Sequence, residues 1–485
     1  MVVGIALAYF AGVAAIAIWA TRRTRTGRDF YVAGRGIGLW SLAIAAMAAT
    51  LSGFAFIGGP GLIYSLGFGA LYIVLPAAIT STLSAWVLAK RMRLLAEVRD
   101  VITVPDAIGV RYNSRLAQGL TALALLVALV GYTAANFLAL GVVVDTIFGT
   151  GVGPGIWLGM LLVMSYSASG GMLAGIYTDV FQGAIMAVAS VLVFLFVLET
   201  GGGLSGISHD ILPHDPGFLS PWGKLTPLAA LSFFFVFGVG TLGQPHVIHK
   251  YYMVRDPRQL KWYPLLMTGA LIITLLLCFG VGVAVKAAVL RGDLAPLANP
   301  DDATPVFLLR YTPLVLAALV FSGVAAAVMS TVNSFLNVGA ATITHDLPVA
   351  LGLERGNQLL RGRLATVGLS IAAALLAQGS DRLVAFLGVF GWGLFASTLV
   401  PSLAIGLNWP GATRAGAIAS ISTGLGLTVI FESLAWFGVY SFPAGVTISG
   451  LSLVASLLVF LAVSWLTRAR AEQELADDIR QVMEV

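Results

Sequence analysis

The sequence predicts an all-α polytopic membrane protein, and three observations carry that prediction. The chain of 485 residues is 58% hydrophobic and only 10% charged, where a soluble globular chain carries about 25% charged residues. Apolar runs near the roughly 20 residues that a helix needs to cross a bilayer recur along the whole chain. The basic residues gather in short loops between those runs, so the net charge of +5 is a topology signal and not a footprint for nucleic acid.

Thirteen spans are expected: 2–20, 38–66, 69–90, 116–147, 153–170, 172–198, 227–249, 262–289, 313–344, 362–378, 383–407, 415–434 and 443–467. The first lacks a basic leader and is followed by "TRRTRTGRDF". It therefore reads as a transmembrane helix with its N-terminus outside, not as a cleaved signal. Alternating the spans from that start puts 22 of the 27 Lys and Arg in cytoplasmic segments, including Lys250 and its neighbours in 250–261. Lys224, Lys286, Arg291, Arg310 and Arg382 fall elsewhere. The last stretch, "TRARAEQELADDIRQVMEV", reads as a short amphipathic cytoplasmic tail with no soluble catalytic domain. The lone Cys278 allows no internal disulfide.

Two spans look interrupted. The second contains "GFAFIGGPG" (53–61) and the seventh "FGVGTLGQPH" (237–246). Gly and Pro clusters break helices, and the freed backbone groups must find partners. The breaks open two sets of five spans that run in opposite directions. Paired broken helices in an inverted repeat point to a transporter's central site. The expected organisation is a first helix and basic loop (1–37), a first repeat (38–198), an extracellular loop (199–226), a second repeat (227–407), and two C-terminal helices with the tail (408–485).

The polar residues inside these runs are few. "AAAVMSTVNSFLN" (325–337) holds Ser330, Thr331, Asn333 and Ser334. Helical spacing puts Ala327, Ser330, Thr331 and Ser334 on one face. Hydroxyls in membrane helices often bond back to their own helix or glue helices together. Four polar residues within five positions also suit a sodium ion, a hard cation that accepts neutral oxygens. Carbonyls near the first break, at Ala48 to Gly53, would complete its shell. Asp179 is an acid within the sixth span that needs a partner or water. His246 and His249 have helical spacing but too few companions for a metal site. "GRGIG" (34–38) follows no strand, so it is not a nucleotide loop. No catalytic constellation is present, and no enzyme activity or cofactor is expected.

With these motifs the chain resembles the sodium:solute symporter family. The likeness runs through "DFYVAGRGIG" (29–38), "SGFAFIGGPGLIYSLG" (52–67), "SASGGMLAGIYTDVFQG" (167–183), "GQPHVIHKYYMVRD" (243–256) and "AAVMSTVNSFLNVGAATITHD" (326–346). The resemblance implies a LeuT-like fold with a five-plus-five inverted repeat core. It implies a primary sodium site from the carbonyls of Ala48, Leu51 and Ala327 and the hydroxyls of Ser330 and Thr331. Asp179, Ser330, Asn333 and Ser334 match a second sodium site found in some members, with Asn333 standing where a serine is expected. Ser52, Phe54, Tyr132, Phe237, Thr241 and Gln244 would line the solute site. Phe54 and Phe237 replace tryptophans of the proline-type pattern, and Thr241 replaces a tyrosine.

The expectation is a sodium-coupled symporter of the inner (cytoplasmic) membrane. It would import a small solute such as a proline-like amino acid, pantothenate or another monocarboxylate. Its partners would be the solute, sodium ions and the lipid bilayer, with no nucleic acid and no required oligomer. The alternatives are a proton-coupled transporter with the proton on Asp179, and a transporter-like membrane sensor.

Overall fold

A computed structural model describes residues 2–24, 26–353, 357–380, 384–440, 442, 446–471 and 475–484, and Arg382 lies outside them. Helices account for nearly all of the regular structure, and the only bridge among the described residues is a parallel one between Ile37 and Val254. Among the described residues ten helical segments are long and apolar enough to cross a membrane, and three shorter apolar helices join them.

The helices that matter for the site are α1 (Val2–Thr21), α2 (Leu39–Thr50), α3 (Gly59–Leu66), α4 (Leu71–Ile79), α5 (Arg115–Phe148) and α6 (Val152–Gly201). After the 199–226 connection come α7 (Pro227–Gly240), α8 (Pro245–Tyr251), α9 (Tyr263–Arg291), α10 (Leu314–Ala341), α11 (Gln358–Gln378) and α12 (Val384–Leu399). Two further helices, α13 (Arg414–Trp436) and α14 (Ile448–Leu466), close the bundle.

Both expected interruptions exist. The first falls slightly ahead of the glycine-proline cluster. α2 stops at Thr50, Leu51 leaves helical geometry with φ −82° and ψ 83°, and a π-turn over Phe54–Gly58 leads into α3. Pro60 brings no N–H to this continuous run, and the carbonyl of Phe56, four residues earlier, accepts from Thr304 Oγ at 2.6 Å instead. The second break is a 3₁₀ turn over Thr241–Gly243 followed by Gln244 in an extended conformation, with Pro245 opening α8.

α6 consists of two helices that meet at Gly171 (φ 56°, ψ −148°), where the backbone turns sharply, so the expected fifth and sixth spans remain distinct. Side chains essentially never adopt that backbone region. A Cβ at Gly171 would also lie 2.5 Å from the Phe30 ring.

α10 is the centre of the bundle. In its most apolar stretch 89% of residues are buried, against 28% in α11 and in α13. It packs on α6, α5, α1 and α2, and small residues allow the close approach. At Gly175 of α6 a Cβ would stand 2.0 Å from the Asn333 amide. The C-terminal helix Asp477–Met483 docks on the segment after α4. Arg91 donates to the Met483 carbonyl at 3.0 Å and Arg99 to Asp478 at 2.8 Å. The Arg99 guanidinium bonded to it holds the Asp478 carboxyl below its ordinary range. The tail and the basic segment therefore share one face of the bundle.

Gly171→Ala should lower stability by about 1–3 kcal/mol, the usual cost of a side chain forced into such a conformation. A thermal melt of the purified variant followed by size-exclusion chromatography measures it. An unchanged midpoint would show that the turn tolerates a side chain.

Candidate functional site

The first break exposes backbone oxygens in a way that can be followed bond by bond. In a continuous helix the Ser52 amide would bond to the Ala48 carbonyl, Gly53 to Ala49 and Ala55 to Leu51. Here Ser52 N–H turns to the Thr50 carbonyl at 3.1 Å and Ala55 N–H to Ser52 at 2.9 Å. Gly53 N–H is taken by Asn136 Oδ1 of α5 at 2.9 Å, and Phe54 N–H by Ser52 Oγ at 3.2 Å. The carbonyls of Ala48, Ala49 and Leu51 thus lose their helical donors. Glycine is required at 53 because a Cβ there would meet Ala139 of α5 at 2.4 Å.

The hydroxyl stripe of α10 faces this break. Thr331 Oγ lies 2.8 Å from the Ala49 carbonyl and 3.0 Å from its own Ala327 carbonyl. This one hydroxyl joins the broken helix to the stripe and touches one of the three carbonyls of the expected primary site. Ser330 is fully buried. Its hydroxyl stands beside the Asp179 carboxyl without closing a well-formed hydrogen bond.

The residues of the expected second site meet an additional partner. Asp179 accepts from Lys250 Nζ at 2.9 Å through one oxygen, while its other oxygen has no partner. Lys250 also donates to the Ala45 carbonyl at 3.0 Å and to Ser334 Oγ at 3.3 Å. Both charged side chains are fully buried. Asn333 points its amide oxygen at Ser167 Oγ (2.7 Å) and Asn337 Nδ2 (3.1 Å). Asp179, Ser330 and Ser334 are therefore brought together, and the Asn333 oxygen is engaged with other groups.

Beside the first break lies a cavity of about 40 Å³, room for a water or two. Phe54, Tyr132 and Phe237 line it, together with Trp392 of α12. Phe237 stacks between Phe54 and Trp392, with centroids 6.0 and 5.2 Å away. Ser52, Thr241 and Gln244 are not among its lining residues. Ser52 Oγ is 3.5 Å from the Tyr132 hydroxyl. Thr241 bonds to the Gly238 and Thr80 carbonyls at 2.9 and 3.1 Å. Gln244 donates to Gly240 at 2.9 Å and keeps an unpartnered, buried amide oxygen.

The family model for the sodium:solute symporter family matches residues 30–424. The chain belongs to that family. Curated relatives include the osmoregulated proline transporter OpuE of Bacillus subtilis (strain 168), 28% identical over 93% of this chain and 92% of that protein. The sodium/pantothenate symporter of Escherichia coli (strain K12) is 28% identical over 88% and 90%. The sodium/proline symporter of Staphylococcus aureus is 28% identical over 92% and 89%. These are transporters, not enzymes. Among solved structures, a sodium-coupled sialic acid symporter, described as substrate-bound and outward-open with a novel sodium site, superposes with a TM-score of 0.78. It is 18% identical and covers 96% of this chain and 98% of its own. The nucleobase-cation-symport-1 family transporter MHP1 gives a TM-score of 0.58 at 15% identity over 94% and 98%. The fold is accordingly LeuT-like.

Several residues of this symporter's candidate site carry little signal in the sequence. Asn136 was one more residue in a buried run. Its signal was an amide in the middle of "TAANFLAL", where only another polar group could satisfy it. Lys250, expected in a cytoplasmic loop, lies within α8. α8 continues through Tyr251, two residues beyond the expected end, and that carries Lys250 inward. The side-chain ligand atoms of Asp106, His345 and Asp346 also lie within 4.8 Å of one another. Their groups already engage one another and neighbours: His345 is 3.3 Å from Asp106, and Asp346 accepts from Thr103 at 2.6 Å and Gln118 at 3.2 Å. His249 contacts the Tyr31 carbonyl at 2.7 Å and His246 packs edge-on against Phe335.

Asn136→Ala would leave the Gly53 amide buried without a partner, a loss of about 1–3 kcal/mol. The variant should melt earlier than the parent. Equal melting of the alanine variant and the parent would mean that water takes over the bond.

Proposed function

We propose that this symporter couples the inward movement of sodium to the import of a small organic solute by alternating access. The reading includes thirteen spans, an outside N-terminus and a cytoplasmic C-terminus in the inner membrane of a bacterium. Its core would be two inverted five-helix repeats, 38–198 and 227–407. One observation carries the sodium assignment. The carbonyls of Ala48 and Leu51, whose helical donors are diverted, lie in the break that the Ser330–Thr331 stripe approaches through the Thr331–Ala49 bond. A sodium ion there would take oxygens from Ala48, Leu51, Ala327, Ser330 and Thr331. It would displace the Thr331 hydroxyl from Ala49 and tie the broken helix to α10 by coordination in its place.

The relatives' names favour a proline-like amino acid, pantothenate or another monocarboxylate. The aromatic wall of Phe54, Tyr132, Phe237 and Trp392 supports a solute with an apolar body. The unpartnered Gln244 oxygen offers an acceptor for an N–H or O–H on that solute, since ligand sites combine apolar walls with a few polar groups. A cavity of about 40 Å³ is too small for any of these solutes, so the two broken helices and α12 must separate to admit one. That separation is the opening step of an alternating-access cycle.

Proteoliposomes given separate sodium and pH gradients, with a panel of amino acids and monocarboxylates, test the reading. Uptake should follow the sodium gradient. Thr331→Ala should raise the sodium concentration for half-maximal uptake by about 5- to 150-fold, the equivalent of about 1–3 kcal/mol for one lost ligand. Unaltered sodium dependence in that variant would refute the primary site, and uptake driven by the pH gradient alone would favour proton coupling.

Gln244→Ala should raise the solute concentration for half-maximal uptake while sodium binding in the absence of solute stays as in the parent. A variant that loses both together would argue that Gln244 holds the helix break and does not touch the solute.

A further inference from the structure

We infer that the Lys250 ammonium occupies the place of a second coupling cation, so that Asp179 binds no sodium and the protein takes up one sodium ion per cycle. The inference deepens the sodium-coupled reading and rests on it for the first ion.

An ammonium has three N–H donors. Nζ of Lys250 finds three oxygens, one on each of three helices: Asp179 on α6, Ser334 on α10 and the Ala45 carbonyl on α2. The lysine itself reaches in from α8, the second half of the other broken helix. Four helices thus meet at one cation that is covalently part of the chain. Its charge cancels that of Asp179 in a place where neither side chain meets solvent. This is what a bound sodium would do for Asp179, Ser330 and Ser334, with the difference that a lysine cannot leave.

Charge counting decides between the two occupants. The Asp179–Lys250 pair is neutral. A sodium ion added beside it would give the buried cluster a net positive charge. For an ion beside the pair, the repulsion from the ammonium offsets the attraction of the carboxylate, so sodium would lose its hydration in a buried place with little net Coulombic return. Asn333, whose oxygen is held by Ser167 and Asn337, brings no compensating charge.

The test needs no knowledge of the solute. Equilibrium binding of ²²Na⁺ to the purified chain in nanodiscs counts sodium ions per protein. The parent should bind one. Lys250→Ala frees Asp179, Ser330 and Ser334 and should bind two. Lys250→Ala combined with Asp179→Asn should return to one. The double variant is neutral and shows whether a second ion rests on Asp179. Where the single variant, with its unpaired buried acid, unfolds without salt, recovery of its thermal midpoint on adding sodium and not potassium reads the same site, and no recovery overturns the inference. A parent that binds two sodium ions would overturn the inference and leave the sodium-coupled reading intact. A folded Lys250→Ala that binds the same number as the parent would also overturn it. A parent that binds none while Lys250→Ala binds one would refute the primary site but support the role of Lys250.

Discussion

Inside a bilayer every backbone N–H and C=O must be satisfied within the protein, and the architecture around the candidate site follows from that constraint. Breaking a helix between Leu51 and Gly53 diverts four amides and leaves three carbonyls without their helical donors. The amides are absorbed at once: two by neighbouring carbonyls, one by Asn136 and one by the Ser52 hydroxyl. The carbonyls are compensated only in part, with Thr331 reaching Ala49. Donors are thus fully used while acceptors remain, which is the imbalance a cation-binding site needs. α5 and α10 have to stand where they do because they deliver Asn136 and Thr331, and Gly53 has to lack a side chain so that α5 can come close enough.

Charge obeys a similar economy. Buried ions are tolerated only as pairs with their remaining hydrogen bonds satisfied. The Lys250 ammonium meets this rule with three oxygens, whereas Asp179 keeps one oxygen unpartnered and Ser330 nearby without a good bond. The pair links both broken helices to α6 and α10, so the two halves of the bundle are joined at the level of the hydroxyl stripe. A motion that separates the halves would have to carry this pair on one side or pull it apart, and pulling it apart would leave two buried charges. The pair therefore favours movement in which α2, α8, α6 and α10 keep their contacts here while the aromatic side opens.

The aromatic side is built differently. Phe54, Phe237 and Trp392 stack in series with the cavity beside them. Their contact is made of dispersion and apolar area, which is not directional and can reform after a displacement. The cation region uses directional hydrogen bonds from fixed helices. A rigid ionic centre thus lies next to an aromatic wall that can part and reform, the division that the proposed symport needs.

The sequence by itself determined the class, the run of apolar helices, both helix breaks and the stripe on α10, because each is written locally. Apolar length, Gly–Pro clusters and three-to-four-residue spacing all act within a few residues of chain. It also singled out Asp179, since an acid in an apolar run has to matter. Only the tertiary structure decided what satisfies each of these features. Asn136 looked like any polar residue on a buried helix until Gly53 was seen to lie against it. Trp392 was a distant aromatic until α12 brought it onto Phe237. Lys250 looked like a loop cation because it stands at the end of an apolar segment, and a shift of two residues in a helix boundary changes it from a topology marker to a buried charge. The sequence shows which groups need partners. Which partners they find depends on contacts between helices up to hundreds of residues apart, and those are set by packing, which no local pattern encodes.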